Sequence, residues 1–366
     1  MRVLVIGGGI GGLATAIALR QQGLETIVCE RAGAMREVGA GITLWSNAIG
    51  VLRQLGVAEE IIATGAVLHR AEIRTSVGRV LSATDVDSLS AKIGEPCIML
   101  HRAELLSILA AKVPDVRLGM ECVAVSDGAA MFADGTRIEA DVIVGADGIH
   151  SAVRKQLFPA VVPRYSGYTG WRGTVPIDGL PSDELHGTAI EWWGRGTRFG
   201  IVPIGAGRVY WFATANQPPG VQRAPLAELF GTWEAPVPAI VAKATQVLQN
   251  DIYDLAPSRE WFRGRTVLLG DAIHATTPNM GQGAAQALES ALSLSRALAE
   301  APSVEAAFAR YVRERQRRTR WITTQSWRIG SVATAANPIA VALRDAVVAL
   351  TPRRVSDGQL LKAMGG

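Results

Sequence analysis

Val3-Leu4-Val5-Ile6-Gly7-Gly8-Gly9-Ile10-Gly11-Gly12 is the stretch that decides the fold. Its four opening apolar residues read as a short strand buried on both faces. A helical pattern runs from Leu13 to Gln22, and a second apolar run, Thr26 to Cys29, ends at Glu30. Strand, glycine turn, helix, strand and terminal carboxylate together make a βαβ dinucleotide unit. Gly7 permits the tight turn, Gly9 lets the backbone approach a pyrophosphate, and Gly12 lets helix and strand pack closely. The free N–H groups at the helix start, with the positive dipole end, face the phosphates. Glu30 can accept hydrogen bonds from ribose hydroxyls and repels a 2′-phosphate, so the unit suits FAD or NAD rather than NADP. The fingerprint alone leaves FAD and NAD both open.

Outward from this unit, Asp141-Val142-Ile143-Val144-Gly145-Ala146-Asp147-Gly148-Ile149-His150-Ser151 reads as another buried strand ending in a turn. Arg265-Thr266-Val267-Leu268-Leu269-Gly270-Asp271-Ala272 reads as a third, with Asp271 at its carboxyl end, where open α/β sheets bind ligands. Pro278 and Gly281-Gln282-Gly283-Ala284-Ala285 then lead into a helical stretch through Leu298, a second glycine-rich helix start. Between the motifs, 71–76, 79–83, 169–177, 188–193, 198–204 and 208–215 read as strands bounded by Gly and Pro. No helical pattern separates most of them, so an antiparallel sheet is expected. After Arg320 the pattern is helical with a break at Asn337-Pro338. Its Ile339 to Leu350 stretch is expected to pack against the body of the protein.

Composition narrows the function further. The net charge of +4 is too small and scattered for a nucleic-acid surface, and the basic run from Arg313 to Arg320 reads as a solvated helix face. Cys29, Cys97 and Cys122 stand far apart and the five histidines do not cluster, so no metal site is expected. The amino terminus has no long apolar region of the signal-peptide kind, and no apolar run is long enough to span a bilayer. A cytoplasmic protein without stable membrane insertion is expected, as a monomer or homodimer.

The glycine fingerprint, the Asp147-Gly148 motif and the Gly270-Asp271 motif together resemble the flavoprotein hydroxylase family that includes para-hydroxybenzoate hydroxylase, and most nearly its branch with FAD-dependent urate hydroxylase and zeaxanthin epoxidase. The resemblance runs from Met1 to about Arg320. It implies an α/β fold: a Rossmann-type FAD-binding domain, an antiparallel-sheet substrate domain and a C-terminal helical segment. The FAD-binding domain would be drawn from 1–70, 98–165 and 259–330, the substrate domain from 71–97 and 166–258, and the helical segment from 331–366. By the resemblance, Asp271 binds FAD hydroxyls, and Asp147 and Gly148 support the pyrophosphate region. Arg102 stands beside the flavin chain, and Thr43 and Val123 contact FAD. Arg31, Pro278, Gly281, Gln282, Gly283, Ala284 and Ala285 complete the expected cofactor shell. FAD is expected to be bound non-covalently, with NAD(P)H as a transient electron donor.

On the substrate side, Arg198 and Tyr210 match the arginine and tyrosine of the urate hydroxylase pocket and are the expected catalytic pair. If Gly205-Ala206-Gly207 forms a three-residue hairpin loop, Arg198, Val202, Tyr210 and Phe212 share one face; a two-residue turn would split Arg198 from Tyr210. Gly170, Trp171, Arg172, Trp211 and Phe212 are the expected substrate contacts. The family's urate-holding asparagine falls on Gly170, and Arg172 replaces a neutral residue, which puts urate in doubt. The resemblance implies hydroxylation of an aromatic or heteroaromatic small molecule by O2 through a flavin C4a-hydroperoxide. An olefin epoxidase and a flavin-binding protein without turnover remain open.

Overall fold

The computed structural model describes residues 1–35, 41–180, 185, 187–222 and 225–365. The opening strand Arg2–Ile6 is central in a six-stranded sheet. It pairs in parallel with Glu25–Cys29 on one side and Val142–Gly145 on the other, and Val142–Gly145 pairs in parallel with Thr266–Leu268. Val116–Arg117 adds a parallel edge, and Phe262–Arg263 an antiparallel one. Val3, Leu4 and Val5 are completely buried, as a strand covered on both faces requires. Because the three motif-bearing strands run the same way, their following turns open at one edge of the sheet. The helices Ile10–Gln21 and Gly283–Glu300 pack together there. A Cβ on Gly11 would stand 3.3 Å from that of Ala287 and 3.0 Å from a Leu269 methyl.

The second sheet has seven strands in the order Leu248–Leu255, Pro163–Pro176, Arg208–Asn216, Thr197–Pro203, Thr188–Trp193, Arg70–Thr75, Val80–Asp85. One face is an aromatic core in which Phe199 and Trp211 stack at 5.7 Å. The expectation of an antiparallel sheet needs one correction, since Thr188–Trp193 and Arg70–Thr75 run parallel. The chain leaves after Val80–Asp85 and builds strands of the first sheet before returning, so no hairpin ties the direction of these two strands. Leu248–Leu255, an edge strand, escapes the sequence reading because Gln249, Asn250, Asp251 and Asp254 spoil its apolar alternation.

The long helix Val304–Ala333 is tied to the second sheet through Arg164, whose fork donates to both oxygens of Asp254 (2.9 and 2.8 Å) and lies 3.6 Å over the Trp327 ring. Beyond it lie Pro338–Leu350 and Arg353–Gly365. The first of these packs against the body as expected, beside Val80–Asp85, but not through an apolar face. Arg344 and Asp345 are its buried residues and Val341 and Val348 are half-buried, while Ile339, Leu343, Val347 and Leu350 are exposed. Arg344 donates to the carbonyls of Gly194 and Ala333, both at 3.0 Å, and a guanidinium satisfies these buried acceptors where an aliphatic chain could not. The three cysteines are free and buried, and burial pushes the Cys29 thiol up to about 11 and the Cys122 thiol up to about 12.

His274 gives the fold a pH signature. It is buried, tilted against Trp261, and 3.0 Å from Ser290 Oγ. Burial and the neighbouring Arg315 push its pKa from 6.5 down to about 3. The unfolded chain therefore takes up this proton first as the pH falls through 6.5, and stability declines from there toward the folded value. Between pH 6.5 and about pH 5, above the carboxylate range, the slope contributed is up to about 1.4 kcal/mol per pH unit. Urea unfolding of His274→Gln over that interval should show this slope removed; an unchanged slope would assign it elsewhere.

Candidate active site

One cavity of about 420 Å³ is lined from both sheets. At its first end is Gly9, where an added Cβ would meet nothing within 4 Å, so bare backbone faces open space. Gly9 precedes a helix with no side-chain cap and no acidic residue in its first turn, and the same holds at the helix starting at Gly283. Both helices thus offer unsatisfied N–H groups and positive dipole ends to the cavity. Gly7 has φ +111°, and its Cβ would strike the Ala146 carbonyl at 2.3 Å; a Cβ on Gly12 would stand 1.9 Å from the Gly7 carbonyl oxygen. The tight turn at Gly7, the open space at Gly9 and the close packing at Gly12 are the backbone conditions that the fingerprint requires.

Asp271 also lines this cavity, as do Arg102, Thr43, Gly148, Pro278 and Gly281. The surface that Asp271 exposes is cavity surface deep in the fold. Withdrawal from bulk water raises its pKa, and Arg102 pulls it back down. Asp147 has a different position. Its Oδ2 accepts from the N–H groups of Ala152 (2.8 Å) and Val153 (3.2 Å), holding the helix after the turn, and burial raises its pKa. Glu30 sits beside the fingerprint turn, accepting from Gly8 N–H at 2.6 Å and Ala32 N–H at 2.9 Å. Ala284 is in the lining, whereas Ala285 and Gln282 are buried in helix packing, Gln282 within hydrogen-bond reach of Asn47. Arg31 is exposed, and Val123, 56 % exposed on a separate strand, is not brought to the cavity.

At the other end the hairpin closes with a three-residue loop. Ile204 N–H donates to the Arg208 carbonyl at 3.0 Å, Val202 pairs with Tyr210, and Gly200 pairs with Phe212. Arg198, Val202, Tyr210 and Phe212 all line the cavity, as the loop arithmetic requires. Trp211 alternates to the opposite face and is buried in the aromatic core. Trp171 touches the lining but belongs to that same core, donating to Gln249 Oε1 at 3.1 Å. Gly170 and Arg172 open onto the cavity. Two glycines set where the rings lie: a Cβ on Gly200 would stand 2.2 Å from Phe212 and one on Gly41 2.4 Å from Tyr210.

Several site residues escaped the sequence reading. Glu191 holds Arg198 through Nε (2.6 Å) and Nη2 (2.5 Å), and Asn279 Oδ1 accepts from Nη1 at 2.6 Å. The Asn279 amide in turn donates to Tyr168, Thr277 and the Ser326 carbonyl. A carboxylate inside the otherwise apolar strand Ala-Ile-Glu-Trp-Trp was the unread signal. Arg172, by contrast, has the neutral Asn250 Oδ1 as its hydrogen-bond partner (3.1 Å), and no carboxylate pairs with it among the described residues. Tyr210 faces Arg172 and Arg102; burial raises its pKa, outweighing both arginines, so the phenol stays protonated at neutral pH.

Two uncapped helix starts, a bare glycine backbone, and Asp271 and Arg102 in the lining suit a dinucleotide's pyrophosphate and hydroxyls, and a separate polar and aromatic wall closes the same space. This is the architecture of a flavin-dependent oxidoreductase. The chain belongs to the FAD-binding domain family, which matches residues 1–326. It is 41 % identical over 359 residues to the aurachin C monooxygenase/isomerase of Stigmatella aurantiaca, spanning 94 % of this chain and 93 % of that protein. It is 33 % identical over 367 residues to the 2-heptyl-3-hydroxy-4(1H)-quinolone synthase of Pseudomonas aeruginosa, spanning 96 % and 94 %. The crystal structure of Klebsiella pneumoniae HpxO complexed with FAD and uric acid superposes with a TM-score of 0.90 at 27 % identity, over 100 % of this chain and 96 % of that one. The protein is an FAD-dependent monooxygenase of the kind that acts on aromatic substrates. No helix among the described residues is long and apolar enough to cross a membrane.

Asp271→Ala removes an acceptor facing the cavity. A hydrogen bond involving a charged group contributes about 1.5–3 kcal/mol, so FAD affinity should fall about tenfold or more. Titration of the apoprotein with FAD, read by flavin fluorescence, checks this; equal affinity in variant and parent would remove Asp271 from cofactor binding.

Proposed function

We propose that the protein hydroxylates a flat, electron-rich aromatic or heteroaromatic small molecule, using NADH or NADPH as electron donor and O2 as oxygen source. The observation that carries this reading is the single cavity joining the fingerprint turn to the strand face of Arg198 and Tyr210. When bound, FAD accepts the donor's electrons and supplies the activated oxygen. The chain's own residues position, polarise and shield. Gly9 and the two helix starts would hold the pyrophosphate and the electron-rich end of the flavin, with Asp271 on hydroxyl groups. FAD would be held without a covalent link, so the purified protein is expected to be yellow and to release free FAD on denaturation.

The charge pattern supports distinct tasks for the two arginines that the second sheet brings to the cavity, Arg198 and Arg172. Arg198 is neutralised by Glu191 and locked by Asn279, so it would act as a fixed donor fork beside the reacting centre rather than as a free positive charge. Arg172 has no such counter-charge among the described residues and would hold an acidic or enolisable oxygen of the substrate, lowering its pKa and enriching the ring in electrons. Tyr210, protonated and within the influence of Arg172, would donate to that same oxygen. Phe212 would pack on the ring. The proposal departs from urate itself, because Gly170 and Arg172 change the wall that would meet it.

The test is a substrate screen, with 4-quinolones, hydroxybenzoates and urate as probes, reading NAD(P)H consumption and product mass together. Stimulated consumption with a product one oxygen heavier supports the reading; no stimulation by any aromatic probe would sink it. With a substrate in hand, Arg198→Met should leave flavin reduction largely intact and lower the product formed per NAD(P)H consumed, the remainder appearing as H2O2. Equal coupling in variant and parent would reduce Arg198 to a structural role. Arg172→Gln should raise KM about tenfold by loss of a charged hydrogen bond. An unchanged KM would free Arg172 from substrate binding.

A further inference from the structure

The helix Pro338–Leu350 is inverted relative to an ordinary surface helix. Its charged residues Arg344 and Asp345 are turned inward and paired at 2.8 Å, while Ile339, Leu343, Val347 and Leu350 are 79, 64, 56 and 81 % exposed. Their spacing of four, four and three residues places them in one stripe along the helix. Single exposed aliphatic residues are common on proteins, but a continuous stripe marks an interaction surface. Between 338 and 356 the only carboxylate is Asp345, which is buried. Arg353 and Arg354 follow directly, both exposed. Arg353 also faces Asp85, and Arg354 has no carboxylate partner among the described residues.

We infer that this helix is a reversible docking surface for an anionic lipid membrane, lying in the interfacial plane with Ile339, Leu343, Val347 and Leu350 in the acyl boundary and Arg353 and Arg354 among the headgroups. An apolar stripe that carries no exposed acid of its own and runs into basic residues at one end is the pattern of an interfacial helix, although Asp85 and the half-buried Asp357 stand near Arg353 and Arg354. A second copy of the chain is the weaker fit, because a helix of 13 residues presents less than the roughly 20–30 residues a side of a stable interface. The surface also stands close to the cavity. Arg344, on the helix's inner side, lies 5.5 Å from the centre of the Trp193 ring, which has Arg198 6.0 Å away and donates to Glu191 at 2.7 Å. The inference rests on the helix and not on the identity of the substrate.

Flotation of the full chain with vesicles tests it. Phosphatidylcholine vesicles containing roughly one-third phosphatidylglycerol should carry the protein upward, and pure phosphatidylcholine should carry markedly less. Leu343→Glu should weaken partitioning about tenfold or more, since it takes a leucine out of the acyl boundary and adds a negative charge there. Leu343→Ala should give a smaller loss, and Arg353→Glu with Arg354→Glu should act on the anionic vesicles specifically. These side chains are exposed, and unchanged thermal midpoints would confirm folding. The inference is overturned if the parent fails to float with anionic vesicles, or if Leu343→Glu floats as well as the parent. It is equally overturned if light scattering shows a parent dimer that Leu343→Glu dissolves, which would assign the stripe to a second copy.

Discussion

Two helices begin at the same cavity without caps, and most of the architecture follows from that arrangement. A helix start leaves several N–H groups without partners, and burying such an end is costly unless something accepts from it. Here neither Gly9 nor Gln282 supplies a side-chain acceptor, and neither first turn contains an acid. The two helices are held in register by contacts in which Gly11 allows Ala287 and Leu269 to approach. The parallel order of the sheet brings the turns after its motif strands to one edge. An electron-rich, anionic cofactor is what such a site accommodates, and a neutral ligand would leave both dipoles unanswered.

The second sheet answers a different need. Its cavity face must be polar enough to orient a substrate and closed enough to limit water. Burial of Arg198 is tolerable because Glu191 and Asn279 satisfy it, and Asn279 is itself satisfied by groups from Tyr168, Thr277 and Ser326. That network joins the second sheet, the loop before Gly283 and the long helix, so the guanidinium cannot turn without disturbing all three. Arg172 lacks this support and keeps its charge available. The cavity face of this sheet therefore holds one cation whose orientation is fixed and another that no carboxylate among the described residues pairs with.

Local signals carried the nucleotide half. A strand, glycine turn and helix are contiguous in the chain, and the steric demands on Gly7, Gly9 and Gly12 follow from backbone geometry alone. The face shared by Arg198 and Tyr210 was also legible, since counting across a three-residue loop fixes the register. Pairings between distant segments were not. The parallel contact of Thr188–Trp193 with Arg70–Thr75 depends on where the chain returns after a long excursion. Glu191 became visible only when its strand was laid beside Arg198. The alternation that placed Tyr210 correctly also sends Trp211 to the other face, so composition alone misled there. The inward-facing Arg344 reflects two carbonyls, of Gly194 and Ala333, that no pattern along its own helix reveals.

The glycines beneath the cavity's aromatic rings act as a second layer of shape control. Phe212 lies across Gly200 and Tyr210 across Gly41, each so near that no Cβ could be accommodated without moving a ring. A methyl group at either position would force the aromatic side chain over it to move, and both rings line the cavity. The shape of the cavity therefore depends on residues that carry no side chain of their own. Lineages built on this scaffold could exchange one ring system for another in few mutational steps, with the oxygen chemistry inherited intact.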